Sequence, residues 1–305
     1  MSYLKKFKKN PMLVFRQILI RFKCFRKLSD KTYLKLEYFF VFKKRLNLKD
    51  PKSYSEKLQW IKLYDRKPYY TQLVDKYEAK KVAASQIGEE YIIPTLGVWE
   101  RFEDIDFDKL PEQFVLKCTH DSGCVVICRD KNNFDIESAR EKLNNGLKRN
   151  YYWIAREWPY KNVKPRIIAE KYIEAKEGEG LDDYKFFCFD GEVKALFVAS
   201  DRYNKSEELK FDFFDSDFNF IEAYNGHPSS NGKVEKPQNF EEMKKIASTL
   251  SAGLPEVRID LYSVDGKIYF GEYTFFSNSG MVPIEPKSFD LELGSYIKLP
   301  EKTVG

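Results

Sequence analysis

Only two histidines, His120 and His227, stand in the whole chain. A metal centre built on several imidazoles is therefore excluded. Cysteine is almost as sparse: Cys24, Cys118, Cys124, Cys128 and Cys188 are odd in number, and no pair has zinc-knuckle spacing. That excludes a disulfide framework and points to a reducing compartment. Cys118 and Cys124 read as packing residues, and Cys124 and Cys128 fall in an apolar β-like run where buried free thiols are expected. No stretch approaches the roughly 18 apolar residues that a membrane span needs. Arg16 and Arg21 interrupt the apolar residues of 12–22, and no small-residue cleavage site follows. No signal peptide is expected, and the protein is expected to stay in the cytoplasm. Low-complexity tracts and repeats are absent as well.

What is present is globular. With 305 residues, 43% hydrophobic, 25 Phe and 20 Tyr, the chain can bury a large core in one body of two or three lobes. Charge is unevenly placed. Residues 1–50 hold 15 Lys and Arg against three acids, a net of +12, so the rest of the chain carries −7. Within residues 3–28, Leu4/Phe7 and Phe15/Ile18/Phe22/Phe25 recur at helical spacing among basic residues. Two readings stay open: a basic amphipathic helix lying on an anionic membrane, or a helix docked on the body with its basic face in water. No nucleic-acid module accompanies the charge, and the body is acidic, so nucleic acid is not expected as a partner.

The pattern along the chain predicts an α+β fold. Residues 50–110 read as mostly helical, with Ser53 and Glu56 a possible capping box, 75–87 a second helix and β-like structure beginning over 91–99. From residue 114 strands take over: 114–118 and 124–128 around a polar Ser-Gly loop, a helix over 136–150, and a buried strand over 166–173. Strands over 184–189 and 193–199 flank Asp190-Gly191; 210–214 and a helix over 240–250 follow. Four segments are expected: 1–49 basic and amphipathic, 50–110 helical, 111–175 a first α+β lobe, and 176–305 a second.

The richest stretch runs over 258–276. Asp265-Gly266 is a hairpin turn signal, and one carboxylate sits on each strand, Asp260 and Glu272. Pairing about the turn brings the two acids nearly opposite each other. Like charges that close repel unless a cation lies between them, and hard carboxylate oxygens suit Mg²⁺ with phosphate oxygens completing its shell. A solvated hairpin with two exposed acids is the competing reading. Upstream, in order, come Lys117 before the Ser122-Gly123 loop, the end of an apolar strand at Glu170–Ile173, and Asp183-Tyr184-Lys185. A hairpin loop can cradle phosphates through backbone N–H groups, with a lysine at its base supplying charge.

This order resembles the ATP-grasp superfamily, and more closely its TupA-like family of bacterial surface-polysaccharide gene clusters. The words that carry the resemblance are Asp50-Pro-Lys-Ser-Tyr-Ser-Glu-Lys-Leu-Gln-Trp60, Asp75-Lys-Tyr77, Phe114-Val-Leu-Lys-Cys-Thr-His-Asp-Ser-Gly123, Arg156-Glu-Trp-Pro-Tyr160, Ile168-Ala-Glu-Lys-Tyr172, Asp183-Tyr-Lys-Phe-Phe187 and Gly271-Glu-Tyr-Thr-Phe-Phe276. The resemblance implies two α+β lobes with ATP between them and a helical N-terminal region. It implies that Lys117, Ser122 and Gly123 meet the phosphates, and that Glu170, Lys171, Tyr172 and Ile173 border the adenine. Glu177 would take the ribose hydroxyls, and Lys185 would reach the phosphates from the second lobe. Asp260 and Glu272 would hold Mg²⁺, with Thr274 where relatives often carry Asn, and Asn278 as an alternative. His120 reads as a phosphate or substrate neighbour. Glu157 reads as a salt-bridge or an acceptor-site residue.

The expected activity is an ATP-dependent carboxylate–amine ligase. Lys117, Lys185 and Arg258 would offset charge on the transferring phosphoryl group. Its partners would be carboxylate- and amine-bearing glycans or amino acids, such as a uronic acid with an amino acid or amino sugar. Two other readings stand beside it. One is a glycosyltransferase, for which Asp215-Ser-Asp217 has the form of an Asp-X-Asp metal site but reads as a turn in a Phe- and Asp-rich hairpin. The other is a non-catalytic assembly factor held at a membrane by residues 1–50.

Overall fold

A computed structural model describes residues 11–173, 182–200 and 209–303. Leu4, Phe7 and Glu177 lie outside them. The chain opens with helices α1 (Leu13–Arg21) and α2 (Asp30–Phe42). Their inner faces bury Leu19, Tyr33, Leu34 and Tyr38 against Leu63 and Met281 of the body. Helices α3 (Tyr54–Tyr64), α4 (Tyr70–Val74) and α5 (Lys76–Ile87) follow. The capping box that starts α3 forms as read. Ser53 Oγ accepts from the Glu56 amide at 3.3 Å, and Glu56 Oε2 accepts from the Ser53 amide at 3.4 Å.

Two antiparallel sheets carry the site. The first contains β1 (Thr95–Trp99), β2 (Phe114–Cys118), β3 (Val125–Cys128) and β4 (Ile167–Lys171), in the order β1-β4-β2-β3. Helix α6 (Ile136–Leu147) closes one face of it. The second contains β5 (Asp183–Phe189), β6 (Glu192–Ser200), β7 (Lys210–Asp215), β8 (Phe220–Ile221), β9 (Val257–Val264) and β10 (Lys267–Thr274), in the order β10-β9-β5-β6-β7-β8. Helices α7 (Phe240–Ser251) and α8 (Lys287–Tyr296) join its core. Asp190-Gly191 and Asp265-Gly266 both adopt positive φ at both positions, as the two-residue hairpin turn requires.

Two expectations change. The first sheet begins at Thr95, because β1 pairs with β4, so the boundary placed at 111 falls inside a lobe. The helical region of 50–110 is not a separate layer: Tyr54, Leu58, Leu73 and Ala83 share one core with the second sheet. Asp215-Ser-Asp217 is the turn that its hairpin surroundings suggest. Asp215 Oδ1 accepts from the amides of Asp217 at 2.9 Å and Asn219 at 2.8 Å, which spends this carboxylate on the backbone.

Under α6 the packing is tight enough to decide a glycine. A Cβ at Gly146 would stand 2.4 Å from Cys124 Sγ and 2.6 Å from Cys118 Sγ. Alanine gains at most about 1 kcal/mol of helix propensity over glycine, whereas overpacking a core costs roughly 1–3 kcal/mol. Gly146→Ala is therefore expected to lower the denaturant midpoint. Adding Cys124→Ala, which removes the nearer sulfur, should recover part of the loss.

Candidate functional site

Three neighbouring strands of the second sheet place the charged residues. Lys185 on β5 is the register partner of Asp260 on β9, and Asp260 is the partner of Glu272 on β10. The last pairing depends on an irregularity. Residues 267–270 pair evenly about the turn, and the register then slips by one between Phe270 and Glu272. Without that slip Asp260 would face Gly271, and Glu272 would point to the other side of the sheet. Glycine is needed at the slip because a Cβ there would meet the Asp260 carbonyl oxygen at 2.9 Å.

Asp260 is buried, and both its oxygens are engaged. Arg258 Nε donates to Oδ1 at 2.6 Å and Arg258 Nη2 to Oδ2 at 2.8 Å, while Lys185 Nζ donates to Oδ2 as well. Lys185 also lies 2.6 Å from Asp183 Oδ2. Burial alone would raise the Asp260 pKa, but Arg258 and Lys185 hold it below the usual carboxylate range. Arg258 is fixed further by Ser277 Oγ at 2.9 Å and Thr274 Oγ1 at 3.1 Å. The Thr274 hydroxyl thus orients a guanidinium. Asn278 donates its side-chain amide to Asn225 Oδ1.

The first sheet answers with a second charged cluster. Lys117 Nζ on β2 lies 2.6 Å from Glu170 Oε2 on β4, and Lys80 Nζ on α5 lies 2.5 Å from Glu170 Oε1. Burial would raise the Glu170 pKa, but Lys117 and Lys80 together bring it down to about 2. Glu170 therefore spends both oxygens on two lysines. Lys171, next along the strand, points to the opposite face and is exposed. Tyr172 accepts from Arg129 Nε at 3.1 Å, and Ile173 is half-buried.

Lys76 connects the two sheets. Its amide donates to the Thr119 carbonyl at 3.0 Å, and its Nζ donates to the Asp121 carbonyl at 2.8 Å and lies 3.8 Å from Glu272 Oε2. It ties the loop holding Ser122 and Gly123 to the second sheet. Those two residues are exposed, and Gly123 takes φ +82. His120 does not share that exposure. It is 2% exposed, and its Nε2 lies 3.2 Å from the Gly146 carbonyl, which makes it a core residue. Glu157 is buried, accepts from Ser279 Oγ, and has its pKa raised by burial against the pull of Lys62.

Sequence reading assigned no role to Lys76 or Lys80. The signal was available: both lie on the first turns of α5, beside the family word at 75–77, four residues apart and so on one helix face.

Two carboxylates in direct register are the kind of hard donor Mg²⁺ takes, but the Asp260 oxygens are held by Arg258 and Lys185, so a metal would share that carboxylate with them. The set is not a closed cage: among the described residues no three His, Cys, Asp or Glu side chains gather to hold a metal. Glu272, with a side chain 39% exposed, is the open carboxylate of the pair.

Two antiparallel sheets, each with a charged cluster, are thus joined through Lys76. A family model for TupA-like ATPgrasp proteins matches residues 56–298, and the chain belongs to that family. No curated protein matches the chain significantly. Among solved structures it is similar to the D-alanine–D-alanine ligase of Bacillus anthracis complexed with ATP, at 18% identity and a TM-score of 0.43, over 74% of this chain and 63% of that one. It is also similar to a D-cycloserine synthetase, at 16% identity and 0.42, over 75% and 70%. A third is a RimK domain protein of Sphaerobacter thermophilus, at 12% and 0.41, over 77% and 70%. The chain thus spans less than two thirds of the first of these.

Proposed function

We propose that this protein joins a carboxylate to an amine through an acyl phosphate, in the synthesis of a bacterial surface polysaccharide, and that the pair is a uronic acid with an amino acid or amino sugar. The observation that carries this reading is that Lys76, bonded to the loop after β2 and 3.8 Å from Glu272, joins the register row Lys185–Asp260–Glu272 to the sheet that holds the Lys80–Glu170–Lys117 cluster. Five cationic side chains there, Lys76, Lys80, Lys117, Lys185 and Arg258, suit a triphosphate. Asp260 and Glu272 would hold Mg²⁺, which supplies charge neutralisation at the phosphate oxygens.

The chemistry then balances without a protein nucleophile. A substrate carboxylate oxygen attacks the γ-phosphorus and the bond to the ADP oxygen breaks. The amine attacks the resulting acyl phosphate, loses a proton, and expels inorganic phosphate as the amide forms. Arg258, held by Asp260, Ser277 and Thr274, would stabilise negative charge on the transferring group without rearranging. Lys117 and Lys80, held by Glu170, would do the same from the first lobe. Nothing favours glycosyl transfer, because the Asp215 carboxylate is committed to its own turn.

The test is purified protein with Mg-ATP, a set of uronic acids and a set of amines, followed for ADP and phosphate. ADP release that requires both substrates is expected. Consumption of a nucleotide sugar without ATP would overturn the reading.

A further inference from the structure

The N-terminal arm presents a large apolar surface that the body does not cover. On α1, Val14, Phe15 and Ile18 are 45%, 52% and 38% exposed, and Phe22 just after it is 57% exposed. These positions fall within one arc of a helix, about 100° wide. On α2, Leu36 and Phe39 are 36% and 41% exposed. The two stripes meet: Phe15 stacks on Phe40 at 5.7 Å, and Phe40 lies 6.3 Å from Phe39. The Arg16–Glu37 pair, at 3.0 Å, locks one helix to the other. The opposite faces of both helices are already packed, through Leu19, Tyr33, Leu34 and Tyr38. The exposed stripe is therefore surplus to the fold.

Its rim is cationic. Arg21, Lys23, Arg26, Lys27 and Lys35 are all exposed around it. The two acids of this arm are spent internally, Glu37 on Arg16 and Asp30 on Arg66 at 2.5 Å. No helix among the described residues is long and apolar enough to cross a membrane.

We propose that this face docks on an anionic lipid bilayer, with Phe15, Ile18, Phe22 and Phe39 entering the acyl boundary and the basic rim meeting the headgroups. Charge complementarity selects this occupant. A second copy would bring one basic rim against another, whereas each Lys or Arg gains on the order of 1 kcal/mol near an anionic leaflet. The inference stands on this surface alone and does not depend on the reaction proposed above.

Flotation of the full chain with vesicles tests it, using phosphatidylcholine alone and phosphatidylcholine mixed with phosphatidylglycerol. Wild type should float with the mixed vesicles only, and salt should weaken the binding. Phe15→Ser with Phe22→Ser should weaken it at least about ten-fold, from two partly inserted rings. Arg21→Glu with Lys35→Glu should do the same while leaving the melting temperature unchanged. Three results would each overturn the proposal: no flotation of wild type, full flotation of both double variants, or a wild-type dimer in solution that Phe15→Ser with Phe22→Ser converts to a monomer.

Discussion

Glu272→Gln lowers Mg²⁺-dependent ATP turnover by about 10²–10³-fold, the range seen when one preorganised charge partner is lost from a polar site, and leaves stability nearly unchanged. The second half follows from geometry. The Glu272 side chain is 39% exposed, and its cationic neighbours Lys76 and Arg258 stand at 3.8 and 4.0 Å. Such contacts contribute roughly 0–1 kcal/mol. Asp260→Asn is expected to reach the same low turnover by a different route. Removing that buried charge leaves Arg258 and Lys185 without their shared anion, which costs roughly 3–5 kcal/mol. Turnover and thermal melting, measured side by side, separate the two carboxylates: both variants inactive, only Asp260→Asn unstable. Retained turnover in Glu272→Gln would remove Glu272 from the metal site.

How these acids meet shows where sequence reading stops. Asp265-Gly266 is legible as a turn because few residue pairs accept positive φ twice. Counting outward from that turn places Asp260 opposite Gly271. Only the slip beside Phe270 brings Glu272 across from Asp260. A bulge leaves no periodic trace, since it breaks the period of two on which strand reading depends. The lone hint was Gly271 inside a strand. The same limit explains Glu170. Its strand was readable from the apolar run before it, but its partner Lys80 is 90 residues away, and only the packing of α5 on the first sheet joins them. His120 misled for a related reason. A polar loop suggested a phosphate or substrate neighbour, whereas the hairpin turns the imidazole inward onto the α6 carbonyl of Gly146. Elements governed by local pattern, such as the capping box at Ser53 and the strands of both hairpins, were legible. Contacts fixed by how elements stack were not.

That distant contact carries the other large effect. Glu170→Gln leaves the Lys117 and Lys80 ammonium groups, at 2.6 and 2.5 Å from the same carboxylate, facing each other without an anion. The expected loss is roughly 3–5 kcal/mol of stability. The pH dependence provides an independent measure. The folded pKa of Glu170 is down to about 2, below the 4.5 of an ordinary glutamate. A depressed carboxylate contributes stability that is complete above its unfolded value and lost as pH falls through the folded one. The wild type should therefore lose up to about 3 kcal/mol between pH 4.5 and 2 from this group alone. Glu170→Gln should flatten that acid limb. Lys117→Met added to Glu170→Gln should return part of the stability at neutral pH, because it removes one of two like charges. Nucleotide binding then tests what the lysines are for. If they meet the phosphates, ATP supplies the missing anion, and its addition should raise the melting temperature of Glu170→Gln more than that of wild type. Equal shifts in the two proteins would mean that Lys80 and Lys117 pair with Glu170 for the fold alone.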